Sequence, residues 1–102
     1  MQEKRMNQQT LTIPITSFLI SKEMMGQING TRISMIFKNT SLAGEVITLG
    51  IGKNAENGVG LVLNAGETIS FSQDGGYLPP QTFITAIADV GTATLAIYEE
   101  VQ

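Results

Sequence analysis

The chain has 102 residues, of which 42% are apolar and 15% charged, with a formal net charge of −3, so it is the size of one domain with one modest core. It has no Cys and no His, which excludes disulfides, thiolate nucleophiles, imidazole bases and nearly every zinc, copper or haem site. The acidic balance, with no Lys/Arg cluster beyond Lys4–Arg5, excludes the electrostatic footprint of a nucleic-acid binder, and no apolar run is long enough for a membrane helix.

Residues 1–30 carry +1 and residues 31–102 carry −4, an opposition that suits contacts between copies. The opening MQEKRMNQQT lacks the apolar core of a signal peptide, so synthesis in a cytoplasm is expected. In LTIPITSFLIS, Leu11, Ile13 and Ile15 share one side. Pro14 has no N–H to donate, which places this strand on an edge or outside a sheet. Phe18 and Ile20 fall in the opposite phase, so a bulge or bend is expected near Thr16–Ser17. Two readings follow: an ordinary first strand, or an extended arm pairing with a neighbouring subunit through Leu11, Ile13, Ile15, Phe18 and Ile20. Leu19–Ile28 could instead form a short helix, and Met24 and Met25 suit adaptable packing against a partner.

From residue 31 onward, short strands alternate with turn chemistry. RISMIFK places Ile33, Met35 and Phe37 on one face, and EVITLGI places Ile47, Leu49 and Ile51 together. KNAENG is a loop, VGLVL a strand, NAG a turn, and ETISFS alternates Ile69 and Phe71 with polar residues. QDGGYLPPQ is a longer loop. TFITAIA and TATLAIYEE have small or apolar residues on both faces, as a central pair of strands would. Six strands at this spacing, with threonines throughout, indicate an all-β sandwich or barrel.

Gly50-Ile51-Gly52 begins like a phosphate loop, but Ala55 stands where the third glycine belongs and a strand follows instead of a helix. Gly50, Gly52, Gly58 and Gly60 are better read as bends and close backbone approaches in twisted strands. Glu56, Glu67 and Asp74 lack the spacing of a calcium loop, although a calcium at a subunit contact is compatible with them. No metal, cofactor or catalytic residue is expected. A ligand loop, a glycan being the candidate ligand, would use Lys53, Asn54, Glu56, Asn57 and Tyr77; Tyr77 would otherwise pin its own loop.

RISMIFKNTS, EVITLGI, GLVLNAGETISF and TFITAIADVGTATLAIYEE together resemble small β-sandwich virion auxiliary proteins of bacteriophages, the capsid decoration and minor structural proteins. The resemblance covers roughly residues 31–100, and Leu63-Asn64-Ala65-Gly66-Glu67 is its most specific piece. It implies a non-enzymatic structural part of the virion, made in a bacterial cytoplasm, that cements the capsid shell or binds its own copies. Such proteins are often trimers, and an N-terminal segment commonly ties them to the shell. The alternative is a receptor- or glycan-binding module of a fibre or spike. The expected fold is a small antiparallel β-sandwich, jelly-roll-like, comprising residues 31–102, with residues 1–30 as an N-terminal arm or edge strand.

Overall fold

A computed structural model of the chain describes residues 5–21, 32–72 and 79–101. These form eight strands: β1 (Arg5–Ile13), β2 (Phe18–Ser21), β3 (Arg32–Asn39), β4 (Ile47–Ile51), β5 (Leu61–Leu63), β6 (Thr68–Ser72), β7 (Ile84–Ala88) and β8 (Ala93–Val101). The fold is all-β among the described residues. Of the helix considered over Leu19–Ile28, Leu19–Ser21 belong to β2, and residues 22–28 lie outside the described residues, with Met24 and Met25 among them.

Two four-stranded antiparallel sheets pack together, in the orders β1-β8-β3-β6 and β2-β7-β4-β5. Among the described residues, only β4 and β5 are consecutive strands in one sheet; every other consecutive pair changes sheet. The phase slip near Thr16–Ser17 is such a change. β1 stops at Pro14, the chain crosses over, and β2 starts the second sheet. The Pro14 carbonyl still accepts a hydrogen bond from Ala88 N–H at 2.9 Å. A bulge follows between Leu19 and Ser21 and brings Ile20 into the core.

β7 and β8 are not a pair. The 89–92 turn carries the chain between sheets, so each strand is central in its own sheet, β8 between β1 and β3, β7 between β2 and β4. Two different central positions explain the small and apolar residues on both strands better than one shared hairpin.

The alternation in β3 matches the sandwich: Met35 and Phe37 are fully buried, while Ile36 and Lys38 face out. The core combines Ile13, Met35, Phe37, Ala93, Leu95 and Ile97 of the first sheet with Ile20, Ile47, Leu49, Leu63, Ile84, Ala86 and Ala88 of the second. Residues from both sides of position 30 therefore close one core.

Candidate interaction surface

Two buried polar clusters anchor the ends of the sandwich. At one end Arg32, fully buried at the start of β3, spreads its guanidinium over four partners. Its Nε pairs with Glu99 Oε2 at 2.7 Å, and its Nη2 donates to Ser21 Oγ at 2.6 Å. Its Nη1 donates to the carbonyls of Pro80 at 2.6 Å and Thr82 at 2.5 Å. Gln81 completes the tie by accepting from Arg32 N–H at 2.9 Å and donating to Arg32 C=O at 3.0 Å. A flat, permanently charged fork suits this work, because it meets β2, β8 and the approach to β7 in one plane.

At the other end Asn39 is fully buried. Its Nδ2 donates to the carbonyls of Glu45 at 2.8 Å and Leu63 at 2.9 Å, and its Oδ1 accepts from Ser41 N–H at 3.0 Å. Beside it the Glu45 carboxylate accepts from the Thr92 hydroxyl and from Ala43 N–H, each at 2.8 Å. The Thr92 hydroxyl, the residue's own amide and the Ala43 amide hold the Glu45 carboxyl below its ordinary value, against an opposing push from burial. No buried side-chain polar atom among the described residues lacks a partner. Both clusters therefore serve the fold.

The 52–60 loop between β4 and β5 folds back over the outer face of the second sheet. Thr85 Oγ1 donates to Lys53 C=O at 2.7 Å, Gly58 N–H donates to Thr48 Oγ1 at 3.1 Å, and Ala55 N–H donates to Ser17 Oγ at 2.9 Å. Thr48 and Thr85 are buried under it. Gly50 is required for this closeness: a Cβ there would sit 2.5 Å from Thr85 Oγ1 and 2.7 Å from the Lys53 carbonyl.

The residues expected to carry function divide as follows. Ile13 and Ile20 lie in the chain's own core, which withdraws them from any neighbour, and Leu11 is half-buried against it. Ile15 and Phe18 are exposed, at 59% and 41%. Lys53, Asn54, Glu56 and Asn57 are exposed on the 52–60 loop. The Ser17–Ala55 bond brings that loop beside the Ile15–Phe18 bend. Tyr77 and Asp74 lie outside the described residues. Among the described residues no three carboxylates come together as metal ligands. No helix among them is long and apolar enough to cross a membrane.

The outer face of the first sheet was not foreseen. Its register aligns Gln8, Tyr98, Ile36 and Ser70 in one row across β1, β8, β3 and β6. The next row holds Thr10, Ala96, Lys38 and Thr68. Lys38 is the one charged residue in these two rows, and Ile36 is 37% exposed near the centre of the face. The alternation of each strand was readable, but the neighbours in a row depend on a strand order that links residues 8, 98, 36 and 70.

The described residues form a small β protein of two antiparallel sheets. No protein-family model matches the chain, and no curated protein matches it.

Proposed function

We propose that this chain is a non-enzymatic structural protein of a bacteriophage particle, a capsid decoration or cement protein that binds the shell or its own copies. The observation that carries the reading is the strand order, β1-β8-β3-β6 over β2-β7-β4-β5, with the chain changing sheet at nearly every connection. This order supports a jelly roll, the double-sheet architecture of two Greek keys that viral capsid and lectin domains use. Cupins share that architecture, but their metal chemistry needs His, which this chain lacks. The resemblance over residues 31–100 and the sparsely charged outer face of the first sheet point the same way.

The N-terminal segment is the docking element of this reading, with Ile15 and Phe18 as its exposed apolar contacts. Deleting residues 1–20 would remove β1, most of β2 and the core residues Ile13 and Ile20, so substitution is the sound test of docking. Immunogold labelling of purified particles from the phage that encodes the chain should decorate the outer shell. The double variant Ile15→Ser/Phe18→Ser should fold yet bind particles weakly. Label absent from particles would overturn the proposal.

Lectin jelly rolls support one rival, a glycan-binding module on the same particle, reading its ligand with Lys53, Asn54, Glu56, Asn57 and Tyr77. A glycan array separates the two. Binding that Asn54→Ala/Asn57→Ala abolishes would favour the rival.

A further inference from the structure

From the outer edge of β1, which no described strand covers, we infer that two copies of this chain pair β1 against β1, antiparallel about a two-fold axis, joining their first sheets into one eight-stranded sheet. The inference rests on the self-binding part of the proposed function and names the surface that performs it.

The four sheet edges are unequal. β2 has four residues and a bulge, β5 has three residues, and β6 has five. β1 has nine, paired to β8 in unbroken register from Arg5↔Val101 to Ile13↔Ala93. Along its other side, alternate residues direct N–H and C=O groups away from β8. Edge strands ordinarily carry a guard against such pairing: a charge, a proline, a bulge or shortness. Residues 6–13, MNQQTLTI, contain no charge and no proline, and the register shows no bulge. Pro14 comes only after the strand has ended.

The edge also suits its own copy. An axis at Gln9, the midpoint of β1, gives full overlap. It sets Gln8 opposite Thr10 of the copy, Asn7 opposite Leu11 and Arg5 opposite Ile13. No like charges meet, although each chain carries −3 overall. Gln8 and Thr10 are exposed on the outer face, so they can meet a neighbour without disturbing the core. The resulting assembly is a two-fold pair, not the three-fold ring that the resemblance implies.

Sedimentation of the full chain over a concentration series tests this. The wild type should form a dimer. Gln8→Lys/Thr10→Lys sets two lysines against two across the axis and should abolish the dimer, leaving circular dichroism and the thermal midpoint of the monomer intact. Gln8→Glu/Thr10→Glu should also be monomeric, and mixing the two variants should restore a dimer. A monomeric wild type, a trimer, or a dimer that survives the lysine pair would each overturn the inference. If the wild type is monomeric but the lysine pair abolishes particle binding, the edge is taken by a capsid strand, which also overturns it. Shell labelling retained beside any of these results separates failure of the edge pairing from failure of the proposed function.

Discussion

The side-chain amide of Asn39 donates to the carbonyl of Leu63 at 2.9 Å, joining the end of β3 to the turn that opens β6. The main chain repeats the link: Asn39 N–H donates to Glu67 C=O at 3.0 Å, and Gly66 N–H donates to Asn39 C=O at 2.7 Å. The end of β3 and the NAG turn, far apart in sequence, are thus one joint. Asn39→Ala leaves two buried carbonyls without their donor, and such groups cost about 1–3 kcal/mol each. The variant should lose about 2–6 kcal/mol of unfolding free energy, seen as a lower urea midpoint at unchanged slope. Asn39→Asp faces a carboxylate toward the same two oxygens and should cost more at neutral pH than at acid pH. A midpoint unchanged in both variants would refute the joint.

Arg32 makes the corresponding joint at the other end, and its removal should be severe. Breaking a buried ion pair by deleting one partner costs about 3–5 kcal/mol. Arg32→Met should fall in that range. Arg32→Lys should rescue little, because one ammonium cannot reach Glu99, Ser21, Pro80 and Thr82 together. Glu99 is 15% exposed, so Glu99→Gln should cost less than Arg32→Met. A double-mutant cycle of the two positions should give a clear coupling energy. Full rescue by lysine would mean that the fork geometry is irrelevant.

The core was legible because period-two alternation survives in any sheet arrangement: Met35, Phe37, Ile47, Leu49 and Leu63 are where that period puts them. The partnerships were not legible, because strand order is set by contacts far apart in sequence. TFITAIA and TATLAIYEE look like a hairpin, yet the chain places them in opposite sheets. Arg32 and Asn39 read as ordinary polar strand ends, since nothing local shows that distant carbonyls will surround them. The loop and a close backbone approach at its glycines are legible in the sequence, but which residue approaches Gly50 is not. Its need is steric and comes from Thr85, 35 residues away.

Gly50→Ala tests that steric account directly. The new methyl meets Thr85 Oγ1 and two backbone atoms of the loop, the Lys53 carbonyl and the Ala55 amide at 2.9 Å. Overpacking of this kind costs about 1–3 kcal/mol. The loop should lift off the sheet, exposing Thr48 and speeding tryptic cleavage after Lys53. Gly44→Ala is the useful contrast. Its added methyl meets nothing within 4 Å, though φ is +83°, so only backbone strain should register and cleavage at Lys53 should not change. Equal cleavage in the Gly50 variant and the wild type would show that the loop is not held down by this contact.

Acid should loosen the Asn39 end through Glu45. Its carboxyl is held low in the fold, first by the Thr92 hydroxyl, then by its own amide and that of Ala43. A carboxyl depressed in the folded state binds protons more readily once unfolded. Its stabilisation is therefore complete above the unfolded value of about 4.3 and drains away as pH falls through the lower folded value. The gap in thermal midpoint between wild type and Glu45→Gln should be widest near neutrality and should close as pH drops below about 4.3. Thr92→Val removes the leading donor, so the Glu45 carboxyl should titrate at higher pH in that variant, as followed by its carbonyl carbon resonance. A gap that widens on acidification, or a Glu45 titration unmoved by Thr92→Val, would contradict this account.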